Sequence, residues 1–197
     1  KPIIFTNNDS GYDTAIDFKK NGINPLVLDV RVNSDSQVIK EAKNLNIDIK
    51  FSYGVVNANG YKKVSSALIG KLNKEKTGYE NLENVSCDCI CVSGNWTPTV
   101  HLSSQSGNKL KFDEKANAFI PNQSKQNEST IGSANGSSTL KKSLEEGFTK
   151  GFDLSKKISG KDSKISIPTS NERNHAKQDK FWCMPLPKSK RYKRCVD

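Results

Sequence analysis

The feature that most restricts the fold of this chain is an alternation of apolar runs and helical stretches over its first 56 residues. Three apolar runs have the length and composition of strands, at residues 2–6, 25–30 and 49–56. The two stretches between them have the spacing and end signals of helices, at residues 10–20 and 34–44. Strands that alternate with helices favour a parallel sheet with right-handed crossovers. We therefore predict an α/β fold.

The first strand–turn–helix unit stands where a dinucleotide-binding fold places a Gly-x-Gly-x-x-Gly turn. Asp29 follows about 20 residues later, where such folds place an acidic residue that binds the ribose. The turn at residues 6–11 contains only one glycine, and its Asn-Asn-Asp corner would crowd and repel a pyrophosphate. The pattern therefore predicts a dinucleotide-binding type of fold and predicts that residues 6–11 hold no nucleotide.

The middle of the chain reads as antiparallel strands and loops. A turn is predicted at residues 57–60 and a polar loop at residues 73–84. Thr97-Pro98 is predicted to begin a short helix in which His101 packs. The predicted strands are residues 61–72 and 85–92 and a strand pair within residues 110–119.

The cysteines indicate free thiols and no metal site. Five cysteines without a secretory signal favour a reducing compartment. Cys87, Cys89 and Cys91 alternate along a strand-like segment, so all three are predicted to point to one face. Zinc is usually bound by Cys-x-x-Cys on a turn, so these residues are interpreted as small buried hydrophobic side chains. Their role stays open.

A glycine-rich stretch at residues 131–151 is the strongest candidate for a binding site. Small residues occupy positions 132–136, and a helix is predicted to follow, capped by a residue within 137–139 and ended near Gly151. Its apolar face is Leu140, Leu144 and Phe148. Unpaired N–H groups at a helix N-terminus bind anions, most often phosphate. The alternative is a packing turn, because small residues also occur where a loop passes close to a strand.

Charge and composition narrow the classes of function. The net charge of +10 comes mostly from scattered lysines, and only residues 188–194 form a basic cluster, so we predict no nucleic-acid binding. No apolar run approaches the roughly 20 residues of a membrane helix. His101 and His175 are far apart and form no catalytic dyad, so no catalytic residue is predicted. Residues 158–180 read as a linker.

Four segments in order resemble the middle of the alpha subunit of heterotetrameric sarcosine oxidase. They are KPIIFTNNDSGYDTA, CVSGNWTPTVHLSSQSGNKLKFDE, IGSANGSSTLKKSLEEG and PLPKSKRYKRCVD. The resemblance implies a three-layer Rossmann-like fold of the FAD/NAD(P)-binding, glutathione-reductase-like type, with the Gly-x-Gly-x-x-Gly turn upstream of Lys1. It also implies an inserted second nucleotide-binding lobe at residues 1–84 and a return to the first lobe at 85–157. Residues 158–197 would be the linker and the start of a folate-binding, aminomethyltransferase-like domain.

The resemblance also implies a function. Such complexes oxidise sarcosine to glycine, transfer the methylene group to tetrahydrofolate and form hydrogen peroxide. NAD is bound by the alpha subunit, FAD and FMN belong to the beta subunit, and gamma and delta subunits complete a cytoplasmic heterotetramer. This chain would bind NAD without catalysing the reaction. The alternative is a non-enzymatic basic module that binds acidic partners through residues 188–194.

The family's NAD contacts correspond to Ser133, Ser138 and Leu140 in this chain. Family members commonly have alanine at the position of Ser133 and apolar residues or threonine at the other two. Close approach of the cofactor near Gly132 and Gly136 is inferred from their lack of a side chain.

Overall fold

The computed structural model describes residues 1–75, 77–94, 96–114, 116–160 and 166–171. The described residues divide into two compact units, of which the first ends before Trp96 and the second begins there. The domain boundaries predicted from the sequence remain predictions. His175, Cys183, Cys195 and the basic cluster at residues 188–194 lie outside the described residues.

The described part of the first unit contains seven strands and two helices. In chain order they are β1 (Pro2–Thr6), α1 (Ser10–Lys20), β2 (Leu26–Asp29), α2 (Gln37–Asn44), β3 (Asp48–Phe51), β4 (Tyr53–Gly60), β5 (Val64–Leu72), β6 (Tyr79–Ser86) and β7 (Cys89–Ser93).

A parallel sheet in the order β3-β2-β1-β7 forms the centre of the first unit. All three of its strand pairs are parallel, and Ile4 lies between Val27 of β2 and Cys91 of β7. The predicted helix at residues 10–20 is confirmed, and α2 begins three residues later than predicted because Ser36 caps its first turn. The chain leaves β1 for β2 on one side and returns at β7 on the other, so the strand order reverses beside β1.

Alternate residues of β1 contribute to two different hydrophobic cores. Ile4 packs on the helix side with Tyr12 and Ile39, whereas Ile3 packs on the other side with Ala67 and Ile69 of β5. The second core is covered by an antiparallel sheet in the order β4-β5-β6. Helices, parallel sheet and antiparallel sheet thus make three layers, and the predicted α/β Rossmann-like fold is confirmed.

Two loop predictions and one strand prediction in the first unit are wrong. The run at residues 49–56 is broken at Ser52, whose φ of 59° is left-handed and whose N–H donates to the Arg31 carbonyl at 3.0 Å. The predicted turn at 57–60 lies within β4, and the predicted loop at 73–84 contains most of β6. Residues 57–60 and 80–84 are polar because they are exposed on the two edge strands of the antiparallel sheet.

The prediction that the three cysteines share one face is wrong. Cys87 lies between β6 and β7 and is buried in the core under the antiparallel sheet. Cys89 and Cys91 share the other face, where Cys91 packs on the helix-side core and Cys89 is exposed. The predicted strand at 85–92 is in fact the end of one sheet and the start of another, so the alternation of side chains is interrupted at Cys87.

The second unit contains two antiparallel strands and three helical segments in its described part. They are α3 (His101–Gln105), β8 (Lys109–Asp113), β9 (Ala118–Gln123), a 3₁₀ helix (Gly132–Asn135) and α4 (Leu140–Ser159). The predicted strand pair is confirmed by the pairing of β8 with β9. No helix in the described ranges is long and apolar enough to cross a membrane.

Three details of the second unit differ from prediction. Thr97-Pro98 does not begin the short helix, since α3 starts at His101, and the side chain of His101 is exposed instead of packed. Gly151 does not end α4, which continues to Ser159 and is followed by Gly160 with a left-handed φ of 67°. A glycine inside a helix costs only about 1 kcal/mol relative to alanine, so the good helix formers around Gly151 keep the helix intact.

Candidate functional site

The turn after β1 keeps the spacing of a dinucleotide fingerprint but only its last glycine. Thr6, Asn8 and Gly11 stand at the three positions of Gly-x-Gly-x-x-Gly. A Cβ on Gly11 would lie 2.7 Å from the Cβ of Thr6, so the missing side chain lets α1 approach β1 closely. That close packing is the role of the third glycine in dinucleotide-binding turns. Counting the glycines of this turn in the sequence did not align Gly11 with the third position of the fingerprint.

Asn8 stands at the position of the second glycine, which in a fingerprint lets the backbone approach the pyrophosphate. Its Oδ1 accepts hydrogen bonds from the backbone N–H of Ser10 at 2.9 Å and from the Ser10 hydroxyl at 2.7 Å. Its Nδ2 donates to the carbonyl oxygens of Ser93, the last residue of β7, and of Gly94, the residue after it. Ser10 is the first residue of α1, so one of the amides at this helix N-terminus is satisfied from within the chain.

Asp29, at the position of a ribose-binding acid, is engaged by the protein itself. Its side chain is fully buried, and its Oδ2 accepts from Tyr12 Oη at 2.7 Å and from Arg31 Nη2 at 2.8 Å. Arg31 Nη1 donates to Asp9 Oδ1 at 2.9 Å. Burial and the neighbouring Asp29 raise the pKa of Tyr12 far above its ordinary value, so the phenol remains a donor.

The buried cluster of Asp9, Asp29 and Arg31 offers no free positive charge to a phosphate. Burial alone would lower the pKa of Arg31, but hydrogen bonds and charge from Asp29 and Asp9 raise it, so the guanidinium remains charged. Two carboxyl groups surround this single cation. That residues 6–11 hold no nucleotide stays a prediction. Arg31 was not singled out from the sequence, because its ion pair with Asp9 joins residues 22 positions apart in the chain.

The glycine-rich turn of the second unit has two residues with left-handed backbone angles. Gly132 has a φ of 68°, and Gly136, which follows the 3₁₀ helix, has a φ of 83°. A Cβ on Gly136 would lie 2.9 Å from Ile120 Cγ2 of β9, closer than side chains normally approach. Gly136 is therefore required by backbone conformation and by packing together.

A carboxylate of the chain already binds at this turn. Glu146, from the second turn of α4, accepts a hydrogen bond from the N–H of Gly132 at 2.9 Å and another from the hydroxyl of Ser137. Burial alone would raise the pKa of Glu146, but hydrogen bonds from Ser137, Gly132 and Asn135 lower it. The glycine-rich turn thus presents donors that stabilise a negative charge.

The predicted binding residues lie together along this one turn. Ser133 and Ser138 are exposed, and the side chain of Leu140 is 63% exposed. Thr139 caps α4 by accepting from the N–H of Lys142 at 3.3 Å, which confirms the predicted cap within residues 137–139. The assignment of these residues to a cofactor remains a prediction.

Replacing Glu146 with glutamine is expected to reduce the loss of unfolding free energy when the pH is lowered from 7 to 3. Because the folded pKa of Glu146 is lowered, its contribution is present above the ordinary glutamate pKa of about 4.3 and is lost as the pH falls through the folded value. Urea unfolding at pH 7 and at pH 3 should show a smaller loss for Glu146→Gln than for the parent. Glu145→Gln is the matched control. Equal losses in parent and variant would contradict this account of the turn.

The chain is similar to part of two curated proteins. It is 28% identical over 136 residues to the sarcosine oxidase subunit alpha of Corynebacterium sp. (strain P-1), covering 68% of this chain and 14% of that protein. It is 28% identical over 138 residues to the same subunit from Corynebacterium sp. (strain U-96), covering 69% of this chain and 14% of that protein. The chain therefore spans about one seventh of the length of these relatives. No protein-family model matches it.

The fold is similar to that of a solved reductase. The bacillithiol disulfide reductase Bdr (YpdA) from Staphylococcus aureus matches with a TM-score of 0.50 and 15% identity, over 70% of this chain and 47% of that protein. At this identity the match shows the fold alone. The resemblance inferred from the four sequence segments is confirmed: over about two thirds of its length this chain is similar to part of the sarcosine oxidase alpha subunit.

Proposed function

We propose that this chain is an NAD-binding, non-catalytic part of the alpha subunit of a heterotetrameric sarcosine oxidase. The complex would oxidise sarcosine to glycine, transfer the methylene group to tetrahydrofolate and form hydrogen peroxide. FAD and FMN would be bound in the beta subunit, and gamma and delta subunits would complete a cytoplasmic assembly. The observation that carries the proposal is the similarity to two sarcosine oxidase alpha subunits over about two thirds of this chain.

The glycine-rich turn is the place where the described residues fit a dinucleotide best. The Gly132 N–H and the Ser137 hydroxyl already bind the Glu146 carboxylate, so a pyrophosphate would be bound by the other groups of the turn. We propose that NAD lies along the exposed side formed by Gly132, Ser133, Gly136, Ser138 and Leu140. The N-terminus of the 20-residue helix α4, with the exposed Lys141 and Lys142 in its first turn, would favour the negative charge of the pyrophosphate.

The first unit supports the proposal in a different way. In its turn at residues 6–11, Asn8 accepts the hydrogen bond of the Ser10 N–H. Asp29, at the position of a ribose-binding acid, is paired with Arg31. We therefore propose that this lobe keeps the architecture of a dinucleotide-binding domain as a structural element, and that nucleotide binding does not occur at its first turn.

A titration separates this proposal from the alternative basic binding module. Isothermal titration with NAD should show saturable binding of one NAD, with little salt dependence, by a chain that includes the upstream Gly-x-Gly-x-x-Gly segment, and weaker binding by the 197-residue chain alone. Heparin serves as the comparison polyanion. Binding of heparin with a steep dependence on salt, in the absence of NAD binding by either protein, would favour the basic module instead.

A further inference from the structure

Cys89 and Cys91 form a pair of thiols to which the proposed function assigns no role. Both lie on β7, which is an edge strand of the parallel sheet in the described part of the chain. Their Sγ atoms are 3.7 Å apart, and both thiols are free. Cys91 is anchored against the helix-side core, whereas Cys89 is exposed. The pair is therefore held from one side and open to solvent on the other.

The separation of the two sulfur atoms matches two neighbouring positions on one tetrahedral metal ion. Two sulfurs that each lie about 2.3 Å from a tetrahedral ion are about 3.8 Å from each other. The observed 3.7 Å meets that requirement without any movement of the strand. Two thiols on one face of a strand can therefore serve as a ready-made pair of ligands.

A disulfide fits the same pair poorly. It requires an S–S bond of about 2.0 Å and Cα atoms no more than about 6.8 Å apart. The two sulfur atoms lie 3.7 Å apart, so forming the bond would require the side chains on β7 to move. The geometry thus favours coordination of a metal over oxidation of the pair.

Although the spacing of the cysteines predicts no metal site, the 3.7 Å between the two sulfur atoms leads us to propose that Cys89 and Cys91 chelate a thiophilic divalent cation, with water in the remaining coordination positions. The structure places no group of three or more His, Cys, Asp or Glu side chains around a common point within the described ranges, so the site has two protein ligands. Thiolate ligands select such soft cations. On binding, each thiol loses its proton to solvent, two metal–sulfur bonds form, and no electron is transferred.

The test is a titration of the 197-residue chain with Cd²⁺ in metal-free reducing buffer. Cys183 and Cys195 are replaced by serine in every sample, so that Cys87, Cys89 and Cys91 are the remaining thiols that can bind Cd²⁺. The expected result is a thiolate-to-metal charge-transfer absorption that saturates at one Cd²⁺ per chain, with release of about two protons per ion. Cys89→Ser should abolish this absorption, and because Cys89 is exposed the variant should keep its fold.

Cys87→Ala is the matched control. Cys87 is buried in the other core, so its removal should leave the Cd²⁺ absorption unchanged. Far-UV circular dichroism verifies the fold of each variant. Absorption that persists in Cys89→Ser, or that disappears in a folded Cys87→Ala, would overturn the proposal. So would isolation of the protein with Cys89 and Cys91 already joined, seen as a mass lower by two hydrogen atoms that dithiothreitol restores.

Discussion

Replacing Arg31 with methionine is expected to lower the free energy of unfolding of the first unit by about 3–5 kcal/mol. The guanidinium is 4% exposed and lies between the carboxyl groups of Asp29 and Asp9, at 2.8 and 2.9 Å. Methionine would fill part of the space but would leave two buried carboxyl groups without their cation. Because an unpaired buried charge loses hydration without compensation, the cost exceeds that of a cavity of the same size. Urea unfolding followed by far-UV circular dichroism measures it.

Two further variants identify the cause of that loss. Lys20→Met breaks an exposed ion pair with Glu41 and should cost less than about 1 kcal/mol. Arg31→Met combined with Asp9→Asn and Asp29→Asn removes the charges together and should recover part of the stability, since no buried charge is then left without its counter-ion. A loss of unfolding free energy under about 1 kcal/mol in Arg31→Met would show that the cluster of Asp9, Asp29 and Arg31 is hydrated and would contradict this account.

The second large effect is expected at Gly136. Gly136→Val places a branched side chain at a left-handed φ of 83° and brings its Cβ to 2.9 Å from Ile120 Cγ2, which should destabilise the turn by about 1–2 kcal/mol or more. If NAD lies against this turn, its affinity should fall at least tenfold, which corresponds to about 1.4 kcal/mol. Calorimetric titration of the folded variant with NAD measures the loss.

A second glycine provides the control for Gly136. Gly151 lies within α4, and a Cβ added there would meet no atom within 4 Å, so alanine is accommodated. Gly151→Ala should raise the stability of the helix by about 0.5–1 kcal/mol and leave NAD affinity unchanged. Unchanged NAD affinity in a folded Gly136→Val variant would mean that the stretch is a packing turn and that the cofactor assignment fails.

The sequence predicted the elements of the first unit that have strong periodic patterns. The apolar runs of β1 and β2 and the amphipathic helix α1 follow local rules, and all three are found in the structure. Their alternation restricts the topology, because parallel strands need crossover connections. The parallel sheet could therefore be inferred before any contact was known.

The errors arose where tertiary contacts override local pattern. β6 is so polar that it reads as a loop, yet it pairs with β5 because its backbone groups complete the antiparallel sheet. The break at Ser52 depends on a hydrogen bond to Arg31, which is 21 residues away in the chain. Such long-range partners leave no periodic signal in a single sequence.

The candidate site was predictable only in part. The small residues around Gly132 and Gly136 and the capping residue Thr139 could be located from composition and spacing. The role of Glu146 could not, because it depends on how α4 folds back against the 3₁₀ helix that precedes it. The hydrogen bonds of Asn8 were likewise hidden, since two of its partners, Ser93 and Gly94, lie at the end of β7, more than 80 residues away in the chain.

The most direct test of where nucleotide binds is a map of amide chemical shifts during titration with NAD. The 197-residue chain, with its backbone resonances assigned, is titrated with NAD and followed by ¹H–¹⁵N correlation spectra, which detect even weak binding. We expect saturable shifts for the amides of residues 132–140 and unchanged positions for residues 6–11. Saturable shifts at residues 6–11 without shifts at 132–140 would contradict the account, because they would place the dinucleotide in the lobe that Asn8 and Arg31 close.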